Sequence, residues 1–530
     1  MDSPILTLAQ MRAAEKAAFA RGVEVEGLMD QAGAGVAQAI SRFFQTPAKC
    51  IVFAGKGNNA GDALVAAQWL QRHGWSIEVR LAFKESDCSE LMRKKLEALR
   101  RTSFEASGAT AQDDADIRIA IVEELAEVGD NLRREQDAIA AEAYLGSASQ
   151  TIILDGLLGL GAKPPLREPI RRACRHINQL RRKKNAFVFA VDLPTGLNGE
   201  SGEADPDCVT ADFTITIGFA KRGLIVDSAL DLVGRLEVVP LPDLSPGDAT
   251  PNELVATADS LSPLLRRRKF RAYKNQFGRI GVVAGSKGFI GAALMTAQGA
   301  LRAGAGLVEV FVSEEVYSIV AACAPQESMV KPVQSYRDLL SEKIDIWALG
   351  PGLGKSRAAE IIQLVERAEQ PMVVDADGLN ILSAKVDLLK HCRGPRLLTP
   401  HPGEMKRLFD SGKMSRAETA RNFCDQFRVT LLLKGSRTIV CESDKPLSYN
   451  STGNPGMASG GMGDVLTGVC AGLVGQGLSL YDAARVGAWV CGRAAEMSIF
   501  QGEQSEESLL SRDVLNHLGN AFNELHNSAV

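Results

Sequence analysis

The chain has 530 residues, of which 45% are hydrophobic and 23% charged, with a formal net charge of -4 at pH 7. That length exceeds what one core can organise, so two or three domains are expected; the near-neutral charge and 5% aromatic content speak against a nucleic-acid surface. Ten scattered cysteines without a CxxC pair, six histidines and no HExxH give a zinc site no support and fit a reducing compartment. The start, Met1-Asp-Ser-Pro-Ile-Leu, lacks the basic and apolar parts of a signal peptide. The longest uncharged run, Val465 to Tyr481, is broken by four glycines and falls short of a membrane span. A cytoplasmic location is expected, with neither membrane nor nucleic acid as partner.

Short apolar runs alternate with helix-periodic segments throughout, the pattern of parallel α/β architecture. In the first half, helices are expected at about 8–20, 28–44, 62–73, 89–100 and 169–182. Strands are expected at Cys50–Ala54, Ile77–Leu81, Thr151–Leu154 and Phe187–Val191. Residues 105–150 are acidic and alanine-rich and read as a surface helix without chemistry.

The stretch from Gly55 to Asp62 leaves a strand and enters a helix, the setting of a Rossmann phosphate turn, but Ala60 stands where GxGxxG needs glycine. Polar groups fill it instead: Asn58, Asn59 and Asp62. Two more strand ends carry related chemistry, Asp155-Gly-Leu-Leu-Gly-Leu-Gly161 and Asp192-Leu-Pro-Thr-Gly196. In an open α/β sheet such ends converge on one crevice. Oxygens of Asn59, Asp155 and Thr195 suit a hard cation, and the lack of clustered acids favours a monovalent one.

These three motifs together resemble the NAD(P)H-hydrate epimerase family, which interconverts R and S forms of NADH or NADPH hydrated on the nicotinamide ring. The resemblance implies that Asn58, Asn59, Ala60, Gly61 and Asp62 contact the hydrated dinucleotide. It implies the same for Gly159, Leu160, Gly161, Ala162, Lys163, Pro164 and Pro165. Asn59, Asp155 and Thr195 would ligate potassium, with threonine standing where the family usually has serine. Asp192 would bind substrate and serve as acid/base.

Pro240 to Pro251 carries four prolines without periodicity and reads as a linker, placing a boundary near 245 and domains at 1–245 and 246–530. The pattern then restarts, with strands expected at Ile280–Ala284, Val308–Val312, Ile344–Ala348, Met372–Val374 and Thr430–Leu433. Gly350-Pro-Gly-Leu-Gly-Lys-Ser356 is not a Walker A, because three residues rather than four separate Gly350 from Gly354. His401 stands between two prolines, in a rigid loop. Lys434-Gly-Ser-Arg-Thr438 reads as a hairpin whose N–H groups and cations could face a phosphate.

The most informative stretch runs from Asn454 to Leu466. Four glycines precede Asp464, where an apolar helix begins. Backbone N–H groups can close on a phosphate there, and the helix end favours an ionised Asp464 able to take a proton from a hydroxyl. An anion hole beside a base is what phosphoryl transfer to an alcohol needs.

Residues 255–525 resemble the ADP/ATP-dependent NAD(P)H-hydrate dehydratase family, which has a ribokinase-like fold. By that resemblance Ala292, Gly352, His401 and Asp464 contact the hydrated dinucleotide, while Lys434, Gly435, Ser436, Arg437, Thr438 and Gly463 hold the adenine nucleotide. The chain is thus expected to be α/β throughout: an N-terminal Rossmann-like three-layer domain, then a ribokinase-like domain. ADP, or ATP, is the implied cosubstrate, with a magnesium ion, and a homo-oligomer is expected. Asp464 would activate the C6 hydroxyl of the S hydrate for phosphorylation, and phosphate would then leave. A small-molecule kinase with a regulatory or non-catalytic first domain competes with this reading. An NAD-dependent oxidoreductase stands third, disfavoured by Ala60.

Overall fold

The computed structural model describes residues 3–107, 118–121, 150–161, 164–184, 186–247 and 251–528. The chain divides into two compact units, Pro4–Thr250 and Pro251–Val530, the second grouped with residues 1–3.

In the first unit the order is β1 (Ser3–Leu6), α1 (Leu8–Ala20), α2 (Val25–Phe43), β2 (Lys49–Ala54), α3 (Asn58–Arg72), β3 (Ser76–Leu81), α4 (Glu90–Ser107), β4 (Arg118–Ile121), β5 (Thr151–Gly156), α5 (Ile170–Lys184), β6 (Phe187–Val191), β7 (Phe213–Ile217), β8 (Ala220–Lys221) and β9 (Arg235–Val239). Seven strands form a sheet in the order β4-β3-β2-β5-β6-β7-β9, with every pairing parallel. Parallel strands are buried on both faces, which is why β2 and β5 read as unbroken apolar runs. Ile51 and Phe53 of β2 join Ala173, Ile177 and Leu180 of α5 in one core. The alternate residues of β2 point to the opposite face.

Three expectations change here. Helix α3 starts at Asn58, not near residue 62, so Asn58 to Asp62 form its first turn rather than a loop. Buried packing overrides the poor helix propensity of Asn and Gly: Ala60 is fully buried, and a Cβ on Gly61 would meet Met29 Sδ at 2.4 Å. Within the stretch read as a surface helix, α4 runs to Ser107 and Arg118–Ile121 pair in parallel with β3; its remainder lies outside the described residues. Strand β7 was not expected, because threonine interrupts its apolar run. Thr214 and Thr216 are nonetheless fully buried, and the Thr214 hydroxyl donates to the Val233 carbonyl at 2.7 Å.

The second unit holds β10 (Glu253–Ala256), β11 (Arg279–Val283), α6 (Ile290–Arg302), β12 (Leu307–Ser313), α7 (Glu314–Cys323), β13 (Ser328–Val333), β14 (Ile346–Leu349), α8 (Ala358–Arg367), β15 (Met372–Val374), α9 (Ala376–Leu382), β16 (Arg396–Leu398), α10 (Pro402–Leu408), α11 (Arg416–Phe427), β17 (Thr430–Leu433), β18 (Ile439–Cys441), β19 (Leu447–Asn450), α12 (Met462–Gly475), α13 (Leu480–Phe500) and α14 (Ser511–Asn527). Its strands run β13-β12-β11-β14-β15-β16-β17-β18-β19-β10, parallel from β13 to β17 and antiparallel through β17-β18-β19. Strand β16 escapes sequence reading because it opens on Arg396. That guanidinium is 1% exposed and is satisfied by the carbonyls of Val365, Ala368, Gln370 and Pro395.

Helices α6 and α12 cross on the sheet almost backbone to backbone. A Cβ on Gly468 would lie 2.0 Å from the Thr296 carbonyl oxygen, and one on Gly299 would lie 2.5 Å from that of Val465. This close crossing sets the start of α12, and so Asp464, against the sheet. Gly468→Ala is expected to lower the stability of the second unit by about 1–3 kcal/mol through overpacking, read as a lower urea midpoint; an unchanged midpoint would contradict the crossing.

Candidate active sites

In each unit's run of parallel strands the order reverses at one point, where the carboxyl ends of two neighbouring strands and the loops that leave them come together. In the first unit this occurs between β2 and β5. Asn59 follows β2 and Asp155 lies at the end of β5. Asp155 is fully buried; it accepts from the Thr195 hydroxyl at 2.7 Å, the Thr195 N–H at 2.8 Å and the Leu157 N–H at 3.3 Å. Burial pushes its carboxyl up to about 6 against those hydrogen bonds. Asn59, 8% exposed, packs beside the same turn: a Cβ on Gly159 would lie 3.3 Å from its Oδ1, and its Nδ2 has no hydrogen-bond partner among the described residues.

Asp192 directly follows β6 and has a left-handed φ of 68°. Its Oδ1 accepts from the Lys221 ammonium and from the Ile217 N–H at 3.1 Å. Two more carboxyls face this group. Burial, then the charges of Asp192 and Glu15, push Asp62 well above the usual carboxylate range, and burial with the Asp192 charge also raises Glu15. From α1, the Arg12 guanidinium reaches the Leu160 carbonyl at 3.4 Å. Gly161, Pro164 and Pro165 of the expected substrate loop are exposed, whereas Gly159 and Leu160 are half-buried; Ala162 and Lys163 lie outside the described residues.

In the second unit the reversal lies between β11 and β14. The loops after these strands are tied together by Gly285 N–H to the Pro351 carbonyl at 2.8 Å and by the Ser286 hydroxyl to the Gly352 carbonyl at 2.8 Å. Ala292 meets Gly352 directly: a Cβ on Gly352 would lie 2.9 Å from that of Ala292. The next strand, β15, is followed by Asp375, which is 1% exposed. Asp375 Oδ1 accepts from Lys434 Nζ at 2.8 Å and Oδ2 from the Thr467 hydroxyl at 2.8 Å. One carboxylate therefore joins the β17–β18 hairpin to α12.

Asp464 is the third residue of α12, in the first turn, behind Gly461 at φ 86°. Burial first, and then the Asp375 charge, push it up to about 6 against the pull of Lys434. Burial thus outweighs the helix end that was expected to favour ionisation, although Asp464 remains ionised at neutral pH. Burial also disfavours the Lys434 ammonium, but Asp375, Glu404 and Asp464 overcome that and hold it above its usual range. His401 caps α10: its Nδ1 accepts from the N–H groups of Gly403 and Glu404, while its own N–H donates to Glu404. Glu404 Oε2 lies 4.0 Å from Lys434 Nζ, which links this cap to the same network.

The hairpin forms between β17 and β18, but its cations turn inward. Lys434 pairs with Asp375 and Arg437 is 2% exposed, leaving Gly435 and Ser436 at the exposed tip. A Cβ on Gly463 would lie 3.2 Å from Lys434 Nζ, so Gly463, Lys434 and Asp375 meet at one point. Sequence reasoning assigned no role to Asp375, Thr467, Glu15 or Lys221. Asp375 was visible as an acid ending a strand, as Asp155 and Asp192 were; the others gave no signal, because their partners are distant in the chain.

Two α/β units, each with polar groups gathered at the carboxyl ends of its parallel strands, define a two-domain α/β enzyme. Residues 280–514 match the model of the NAD(P)H-hydrate dehydratase family, and residues 25–223 match that of the YjeF-related protein N-terminus. The bifunctional NAD(P)H-hydrate repair enzyme of Moorella thermoacetica is 33% identical over 513 residues, covering 93% of this chain and 91% of that one. The enzyme of the same name from Escherichia coli is 33% identical over 496 residues, covering 92% and 88%. A solved structure, the ADP/ATP-dependent NAD(P)H-hydrate dehydratase of Bacillus subtilis co-crystallised with ATP and Mg2+, is 26% identical; it aligns over 51% of this chain and 97% of its own, with a TM-score of 0.44. The chain belongs to the bifunctional NAD(P)H-hydrate repair enzyme family. It is accordingly a metabolite-repair enzyme, isomerase and lyase in one chain, joining an NAD(P)H-hydrate epimerase to an ADP-dependent dehydratase. Among the described residues no helix is long and apolar enough to cross a membrane.

Lys434→Met would leave Asp375 buried without its cation. The second unit is expected to lose about 3 kcal/mol in a urea titration, at the low end for a broken buried pair because water partly reaches Lys434. A loss under about 1 kcal/mol would mean that the pair does not hold the hairpin.

Proposed function

We propose that residues 1–245 carry the epimerase and residues 246–530 the dehydratase, with each chemistry at the carboxyl ends of the parallel strands of its own sheet. The observation that carries the dehydratase reading is the meeting of Gly463, Lys434 and Asp375 beside Asp464. Ala292, Gly352, His401 and Asp464 bind the hydrated dinucleotide, and residues 434–438 with Gly463 hold ADP, or ATP in its place. Asp464 takes the proton of the C6 hydroxyl as that oxygen attacks the terminal phosphoryl group, and AMP leaves. N–H groups of residues 460–464 face the charge that develops. The C6–O bond then breaks, pushed by the ring nitrogen lone pair; phosphate departs, and loss of a C5 proton restores the dihydropyridine. Magnesium would travel with the nucleotide phosphates and water, since Asp375 is already taken up by Lys434 and Thr467.

In the epimerase, Asn58 to Asp62 and the loop 159–165 receive the hydrated dinucleotide, and Asp192 exchanges a proton near C6. Asn59, Asp155 and Thr195 fit a potassium ion. Asp155 is a fully buried carboxylate whose partners are Thr195 and Leu157, and the Asn59 carboxamide packs against Gly159 of the same turn, where its Oδ1 is the oxygen a cation would use. Potassium would supply the positive charge that offsets Asp155 and would orient the substrate. Hydrated NAD(P)H and the adenine nucleotide are the small-molecule partners, and a homo-oligomer is part of this reading.

The test feeds mixed-epimer NADH hydrate, with ADP, to the full chain and follows dihydronicotinamide absorbance. Complete recovery is expected, with the acid limb of the dehydration rate near pH 6, because Asp464 must be deprotonated to act and its carboxyl titrates at about 6. Asp464→Asn should lower dehydration by about 10²–10⁴-fold and leave epimerisation intact. Retained turnover in that variant would remove Asp464 from the mechanism. Replacing potassium with tetramethylammonium should lower both the epimerisation rate and the melting temperature of the unaltered chain. Asp155→Asn should make the melting temperature insensitive to the exchange; an equal potassium response in that variant would place the ion elsewhere.

A further inference from the structure

Lys221 is wholly buried in the first unit, yet no role above uses it. Its ammonium donates to Asp192 Oδ1, to the Thr216 hydroxyl at 2.9 Å and to the Ile217 carbonyl at 2.8 Å. An ammonium carries three hydrogens and no acceptor. All three are used, so Lys221 has none to offer a substrate in this arrangement.

The consequence falls on Asp192. Its Oδ1 receives Lys221 and the Ile217 N–H at 3.1 Å, with the Thr216 hydroxyl 3.4 Å away. No donor among the described residues bonds to Oδ2. The residue also holds a φ of 68°, a left-handed conformation that a non-glycine residue keeps only where its surroundings impose it. Its N–H is fixed to the Ile215 carbonyl at 2.8 Å. The other charged groups facing Asp192 are Asp62 from α3 and Glu15 from α1, with Arg12 beside Glu15. Either carboxyl, if ionised, would repel an ionised Asp192, which helps to push both up, and Lys221 is the cation bonded to it.

We infer that Lys221 is a positioning residue of the epimerase: it binds Asp192 Oδ1, orients the carboxylate, and leaves Oδ2 as the oxygen that exchanges a proton with the hydrate. An ordinary structural ion pair would also be buried, but it would require neither the left-handed backbone at Asp192 nor the bonding of one oxygen only. The inference rests on the reading of Asp192 as the epimerase acid/base.

The test uses the full chain and R-hydrate with excess ADP, so that NADH appears only after epimerisation; dehydration of S-hydrate by the same preparation reports on the second unit. Lys221→Met is expected to lower kcat for R-hydrate about 100-fold, with KM within about twofold, because a misplaced catalytic group costs rate rather than binding. Lys221→Arg should recover at least about tenfold over Lys221→Met, and S-hydrate turnover should be unchanged in both. Thr216→Val keeps both charges and removes the shared hydroxyl; it should lower kcat about tenfold at constant KM, and it carries the test if melting shows that Lys221→Met does not fold. A Lys221→Met kcat within about threefold of the unaltered chain, or a loss expressed in KM, overturns the inference. So does an unchanged kcat in Thr216→Val where that variant carries the test. An unaltered chain that dehydrates S-hydrate but never converts R-hydrate overturns the epimerase reading, and the inference with it.

Discussion

A parallel sheet cannot be wound in both directions from its centre without leaving a gap at the carboxyl ends of two neighbouring strands, and both units are organised around such a gap. In the first it lies between β2 and β5, in the second between β11 and β14. The polar groups at these strand ends are buried all the same, Asp155 fully and Asn59 to 8% exposure. Residues that are far apart in the chain meet there: Asn59 with Gly159, Asp155 with Thr195, and Ala292 with Gly352. The apolar runs that make the strands and the glycines that let α6 touch α12 serve this arrangement, because they fix where each strand end stops.

Burying charge at such a gap is costly, and each unit offsets the cost in a similar way. A lysine on a later strand or hairpin reaches back to an aspartate at a strand end: Lys434 to Asp375, and Lys221 to Asp192. Such pairs contribute little net stability, since desolvation consumes most of the attraction. They do fix geometry. Asp375 uses both oxygens, one on the hairpin and one on α12, and becomes a strut. Asp192 uses one, which leaves the other available. The difference follows from what surrounds each acid: Asp375 has a hydroxyl from α12 beside its second oxygen, whereas Asp192 faces two further carboxyls.

Candidate residues were legible wherever they were contiguous or lay at a strand end. Asp464 follows its glycine-rich loop directly, and Asn59, Asp155 and Asp192 each stand within a few residues of an apolar strand. Legibility failed where polar residues are buried by tertiary contact. Phe213-Thr-Ile-Thr-Ile217 and Arg396-Leu-Leu398 were not read as strands, because local reading treats Thr and Arg as exposed. The start of α3 was placed four residues late because Asn and Gly are weak helix formers, and the contact with α2 that overrides them is not a local property. The 434–438 hairpin was seen, but the inward turn of its cations was not.

The apolar strands, the division into two α/β halves, the glycine-rich loop that ends at Asp464, and the family itself were determined by the sequence alone, because periodicity and contiguous motifs are local and survive in one dimension. Tertiary structure alone decided which charges pair. Asp375 and Lys434 are 59 residues apart, and Asp192 and Lys221 are 29 apart. The folded structure also decided the protonation behaviour of Asp464: the helix end argues for an ordinary ionised acid, but burial beside Asp375 brings its titration to about 6. Coulomb interactions and desolvation depend on distance through space and on access to water, and chain spacing specifies neither.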